Sequence, residues 1–288
     1  MSVVVELELE PEDQIFSTER VILKVYDRQF SLELRQFKDM GLATKASEEQ
    51  YATFLRQGSM SQFLEDYAEN GRSAYEEWTV PQLEAYFHVQ TAQMHDVEVE
   101  VYNRLINLQG AYIPKLLADV RIAPQHAATE LEASLMEYTE IRGIIVEHIP
   151  GFHLLDLVKE TPESDWPVIC DQAIDAVRKV TDQDFINLDL NTGNMLVRRG
   201  EEESTYQVFF IDFALCRFRE ASDSDEMWRE RKRQADEEGA VGYLLADCIA
   251  YAKGKKGKKY KGNLPLPWVY TPSSRFDGEY IELHTEVL

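Results

Sequence analysis

Two short apolar runs, Met195-Leu196-Val197 and Val208-Phe209-Phe210-Ile211, flank the polar stretch Arg198-Arg199-Gly200-Glu201-Glu202-Glu203. Runs of this length around a polar connection read as a buried β-hairpin with a long solvated turn. The residues at its open end constrain the fold most. Asn187-Leu188-Asp189-Leu190-Asn191-Thr192-Gly193-Asn194 leads into the first run, and Asp212-Phe213 closes the second. A hairpin returns the chain to its starting end, so Asp189, Asn194 and Asp212 are expected to converge there. One carboxylate could take a hydroxyl proton, while an Asn and an Asp could hold a hard divalent cation. The bland alternative is a pair of Asx turns capping a hairpin, positions that Asp and Asn favour anyway.

Composition narrows the partners. The formal net charge of −22 argues against nucleic acid and against an anionic membrane surface, both of which need clustered cations. At 288 residues and 44% hydrophobic, the chain can bury one or two sizeable cores. Its three cysteines, Cys170, Cys216 and Cys248, are far apart and form no CxxC pair, which favours buried thiols in a reducing compartment. No apolar run reaches the roughly 20 residues of a membrane span. The first residues carry neither a basic segment nor a cleavage site. A soluble, cytoplasmic protein is the expectation, with a nuclear address readable in the lysine run at 253–261.

Residues 3–10 alternate valine or leucine with glutamate, as in a strand with one face in water. A second strand is expected at Arg20-Val21-Ile22-Leu23-Lys24-Val25-Tyr26. Residues 41–96 read as helical, with a break at Pro81, and the helix runs on through Val101 to a stop at Gly110. Further strands are expected at 115–122, 131–138 and 143–149. Helix follows Pro150-Gly151, with Trp166, Ile169, Cys170, Ile174, Val177 and Val180 on one face. Residues 227–252 read as helix again. The aromatic residues between 51 and 87 read either as packing for two added helices or as a substrate or partner surface.

With its ordered motifs, this outline resembles the protein-kinase-like superfamily over roughly residues 1–250. It looks most similar to the atypical kinase-like proteins of fungi and to the aminoglycoside and choline phosphotransferases. The resemblance implies an α+β, bilobal fold: a small antiparallel-sheet lobe with a long helix (1–149, with a helical insertion at about 41–96), then a mainly helical lobe (150–288). It implies that Lys24 contacts the nucleotide phosphates, held by Glu98, with Glu100 as second choice. Val146, Glu147 and Ile149 match the hinge that holds adenine. Asp189 matches the catalytic base, and Asn194 and Asp212 match the Mg²⁺ ligands. Expected cofactors are ATP and Mg²⁺, and the partner is a hydroxyl acceptor, protein or small molecule.

The chain departs from the family pattern at several points. Asn187 stands where a histidine is usual, and Ala214 replaces the glycine after Asp212-Phe213. No Ala-Pro-Glu follows; a charged helix is expected from Arg217 to Gly239. No glycine precedes Gly41, so the first strand and the Gly-rich loop are missing from this pattern. That implies either a piece of a longer sequence or a protein that binds nucleotide poorly. A pseudokinase or binding module without turnover is therefore the alternative reading, and an acidic scaffold without a nucleotide site is a third.

Overall fold

The computed structural model describes residues 2–10, 19–71, 78–123, 132–202, 204–254 and 266–277. The chain divides into two compact units: residues 1–99 with 116–148, and residues 100–115 with 149–288.

The first unit is built on a four-stranded antiparallel sheet. Its strands β1 (Val3–Glu8) and β2 (Arg20–Tyr26) are followed by helices α1 (Leu32–Gln36), α2 (Lys45–Arg56), α3 (Ser59–Asn70) and α4 (Val80–Arg104). Strands β3 (Leu116–Ile122) and β4 (Ile141–Glu147) complete it, in the order β1-β2-β4-β3. β1 is an edge strand, and the expectation that it has one wet face is corrected. Val3, Val4 and Val5 are 37%, 60% and 40% exposed, so alternate faces both meet solvent. α2 starts with a reciprocal cap between Thr44 and Ser47, worth about 1 kcal/mol. Tyr51 and Leu55 on α2, Phe63 on α3, and Ala85, Tyr86 and Phe87 on α4 form the core of this helical layer. Phe54, Tyr67 and Trp78 pack against it, so these aromatics serve the insertion's own packing. Tyr75 lies outside the described residues.

Three sequence expectations for this unit are revised. Pro81 does not break a helix. It is the second residue of α4, where a missing N–H leaves no intrahelical bond unmade. α4 ends at Arg104, and after one 3-10 turn (Ile106–Leu108) Gly110 adopts the left-handed φ of 77°. The strand expected at 131–138 is instead a 3-10 helix, Ala133–Tyr138, with residue 131 outside the described set. A three-residue repeat puts Leu135 and Tyr138 on one side, both packed against the aromatic cluster, and Tyr51 Oη donates to the Tyr138 carbonyl at 3.0 Å.

In the second unit, β5 (Phe152–His153) and α5 (Leu157–Glu160) precede the long α6 (Trp166–Thr181). Then come β6 (Phe185–Asn187), β7 (Met195–Arg199), β8 (Tyr206–Phe210), β9 (Cys216–Phe218), α7 (Asp225–Ala235) and α8 (Glu237–Ala252). β7 and β8 form the expected hairpin, extended by β5, while β6 pairs separately with β9. Gly151 is required beside β7: a Cβ there would lie 2.1 Å from the Val197 carbonyl oxygen. The apolar face read from the sequence lies inside, since Ile169, Cys170, Val177 and Val180 on α6 are fully buried. Burial pushes the Cys170 thiol pKa up, and all three cysteines are free thiols.

The single helix expected at 227–252 is two, split where Asp236 takes a left-handed φ of 43° and caps α8 through Gly239 N–H at 3.1 Å. The charged helix expected from Arg217 starts only at Asp225, because residues 216–218 are held in β9 by β6. Of the lysine run, Lys253 forms a 2.7 Å ion pair with Glu163, and residues 255–261 lie outside the described set. Among the described residues no helix is long and apolar enough to cross a membrane.

Candidate functional site

In the first unit, Lys24 sits on β2 between Val4 of β1 and Ile144 of β4. Its Nζ lies 2.5 Å from Glu98 Oε2 on α4, with the side chains only 8% and 1% exposed. Strand residues two apart share a face. Tyr26 therefore reaches the same carboxylate, and its hydroxyl donates to Glu98 Oε2. Lys24 and Glu98 are 74 residues apart, so the sheet and the helix must both form to bring them together. Glu100, the second choice, instead accepts from Arg104 Nε at 2.7 Å on an exposed surface. A further charge network escaped the sequence reading. Arg28 Nη1 and Arg35 Nη2 lie 2.5 and 2.6 Å from Glu84 Oε2 on α4, and Arg28 Nη2 lies 2.5 Å from Glu48 Oε2 on α2. The spacing Lys24, Tyr26, Arg28, which carries the alternation of β2 two residues past its end, was the available signal.

In the second unit, Asn187 ends the fully buried β6 and the chain then turns. The Asp189 N–H donates to Asn187 Oδ1 at 2.8 Å, and Asn187 Nδ2 donates to the Asp212 carbonyl at 3.1 Å. One side chain thus ties the loop to the segment after β8. Asn191 Oδ1 accepts the Gly193 N–H at 2.8 Å and shapes the 3-10 turn Thr192–Asn194. Asn194 Nδ2 donates to the Asp189 carbonyl at 2.8 Å and approaches Asp189 Oδ2 at 3.3 Å. The Ile211 N–H donates to the Asn194 carbonyl at 2.9 Å. Asp189, Asn194 and Asp212 therefore meet at the end of the β7–β8 hairpin.

Asp212 has a φ of 66°, a left-handed conformation uncommon for a residue with a Cβ. Such strain persists only where its surroundings over-determine it. Phe213 provides part of that restraint: it is fully buried, with ring contacts to Phe210 at 5.1 Å and Tyr102 at 5.6 Å. Ala214 N–H donates to Asp212 Oδ1 at 3.4 Å. Asp189 is exposed, while Asn194 and Asp212 are half-buried. Among the described residues no cluster of three or more His, Cys, Asp or Glu could hold a metal unaided. The donor set here is an amide oxygen and a carboxylate. It fits a cation such as Mg²⁺, which takes one or two protein oxygens and completes its shell with phosphates and water.

Of the hinge residues, Val146 and Glu147 end β4 opposite Ile22 and Val21, while Ile149 is buried in the second unit.

No family model matches this sequence. Bud32, a KEOPS complex subunit from Pyrococcus abyssi (strain GE5 / Orsay), is 31% identical over 75 residues, which is 26% of this chain. The chain spans about a third (31%) of the length of that curated relative. The solved structure of WaaP in complex with acyl carrier protein shares 13% identity and a TM-score of 0.36, over 55% of this chain and 62% of the WaaP chain. The fold is α+β with antiparallel sheets, and the stretch similar to Bud32 covers 75 residues.

Proposed function

We propose that this protein is a phosphotransferase that uses ATP and Mg²⁺ to phosphorylate a hydroxyl of a protein or small molecule. Kinship with the fungal kinase-like proteins and the aminoglycoside and choline phosphotransferases, and a cytoplasmic location, belong to the same proposal. The buried Lys24–Glu98 pair is the observation that carries it. A buried ammonium so held keeps its charge and its direction, which suits gripping the α- and β-phosphates. Backbone groups of Glu147 and Ile149, with Val146 beside them, hold adenine in this reading. Asn194 and Asp212 hold Mg²⁺, which neutralises phosphate charge when bound. Asp189 orients the acceptor hydroxyl and takes its proton as the oxygen bonds to the γ-phosphorus. The bond from that phosphorus to the bridging oxygen breaks, and ADP leaves with the electron pair. Catalysis of this kind is mostly positioning and electrostatics.

A binding module without turnover is the second reading. One observation favours it: the connection from β1 to β2, residues 9–19, contains no glycine to let backbone N–H groups close on phosphate.

Thermal unfolding with ATP and Mg²⁺ tests both readings. Nucleotide at about 100 times Kd adds roughly 2.7 kcal/mol of stability. We expect that shift in the wild type, its loss in Asp212→Asn, and its retention in Asp189→Asn with turnover abolished. No shift at millimolar nucleotide overturns the phosphotransferase reading and leaves the binding module. A shift without turnover in the wild type selects the binding module.

A further inference from the structure

Lys232, on α7, is a buried cation that the proposed chemistry does not use. It is 3% exposed. Its Nζ donates to the Thr181 carbonyl at the end of α6 (2.7 Å), to the Phe185 carbonyl at the start of β6, and to Glu237 Oε2 (2.9 Å). Three donors meet three acceptors, which is the full capacity of an ammonium group. Glu237 is likewise buried, and its other oxygen, Oε1, accepts the Asn187 N–H at 2.8 Å. Asn187 in turn receives the Asp189 N–H and donates to the Asp212 carbonyl. A continuous chain of hydrogen bonds therefore runs from Lys232 to the backbone of both candidate carboxylates.

We infer that Lys232 is the positioning residue of the 187–194 loop, closing the α6–β6 turn and aiming the Glu237 carboxylate that grips Asn187. The same ammonium fixes both ends of the turn at 182–184 and the acid beneath the loop, so one side chain sets where β6 ends. Burial pulls the Lys232 pKa down and pushes the Glu237 pKa up, so each depends on the other to stay charged. The left-handed corner at Asp236 presents the two from consecutive helices. The kinetic consequence rests on the phosphotransferase reading; the positional one does not.

Amide hydrogen exchange on the full chain, with nucleotide turnover in parallel, tests this. Lys232→Met should speed exchange at Asn187 and Asp189 about tenfold relative to the amides of α6 and α8. It should lower kcat while leaving the nucleotide KM within about twofold. Lys253→Met, which removes a half-buried lysine paired with Glu163, should change neither. The neutral pair Lys232→Met/Glu237→Gln leaves no uncompensated buried charge, and it carries the test should the single variant fail to fold. It should be more stable than the single variant yet keep the faster exchange at Asn187 and Asp189, because the Thr181 and Phe185 carbonyls still lack their donor. Wild-type protection at those two amides in either folded variant overturns the inference, as does exchange that rises only in step with α6 and α8. A wild type without turnover sinks the phosphotransferase reading and leaves the exchange comparison to decide the role of Lys232.

Discussion

A double-mutant cycle on Lys24 and Glu98 separates their structural role from their proposed chemical one. Glu98→Gln keeps shape and an acceptor but strands the ammonium of Lys24; Lys24→Met strands the carboxylate of Glu98. Both sites are nearly closed to water, with side chains 8% and 1% exposed. Breaking a buried pair from one side costs about 3–5 kcal/mol. The residual exposure of Lys24 and the Tyr26 hydroxyl on Glu98 put each single variant near the lower figure, about 3 kcal/mol. Removing both charges leaves no uncompensated ion, so the double variant should lose only about 1 kcal/mol. The cycle then returns a coupling of about 5 kcal/mol in magnitude. Urea unfolding at neutral pH with constant m measures it. Additivity within about 0.5 kcal/mol would show that the two groups do not act as a pair in solution. The folded double variant should also lose the stabilisation by ATP and Mg²⁺. A shift of wild-type size there would remove Lys24 as a phosphate ligand while leaving the fold intact.

His88 and Gly242 offer two more tests. Burial, helped by Arg28 and Arg142, lowers the His88 pKa from 6.5 to about 4. Between those values the unfolded chain binds more protons than the folded one. His88 therefore contributes full stability above about pH 6.5 and loses it as pH falls towards 4, by roughly 3 kcal/mol in all. Urea unfolding across that window should show His88→Gln to be less acid-sensitive than wild type by about that amount; parallel pH profiles would refute the assignment. At Gly242, a Cβ would meet the Tyr270 ring at 2.3 Å, and that ring is buried against α8 with its hydroxyl 3.2 Å from Glu238. Gly242→Ala should cost about 1–3 kcal/mol and expose residues 266–277 to protease, whereas an open site would gain up to about 1 kcal/mol of helix propensity.

Much of the candidate site was legible because it rests on short-range rules. The β7–β8 hairpin follows from two apolar runs and a polar turn, and Asp189, Asn194 and Asp212 then have to share its open end. β2 was readable to the residue, since its alternation has no helical competitor. The sequence failed where tertiary partners decide. Residues 131–138 read as a strand, yet Leu135 and Tyr138 are drawn to one side by the aromatic core of α2–α4. Arg217 and Phe218 read as helix, yet β6 claims them as a strand. Asn187 looked like a departure from the family pattern. Only coordinates reveal that its amide, donor and acceptor at once, bridges Asp189 and Asp212. Lys232 and Glu237 carried no signal, because a charged helix gives no sign of which of its charges is inside.

Those hidden charges bear on what the fold is arranged to do. Lys24–Glu98 lies in one unit and Lys232–Glu237 in the other, all four residues under 9% exposed. Apolar residues of similar volume in place of such pairs would often leave stability unchanged or raise it by about 1–4 kcal/mol. Stability alone therefore does not account for them. Direction does: an ion pair completed by further hydrogen bonds admits one geometry, where packed leucines admit several. In each unit that geometry is imposed where the candidate chemistry needs it, at the amine of Lys24 and at the backbone leading into Asp189. Replacing Lys24 and Glu98 by apolar side chains should consequently give a protein within about 1 kcal/mol of wild-type stability and deficient in nucleotide turnover. An apolar variant that matched the wild type in both would show these charges to be incidental to function.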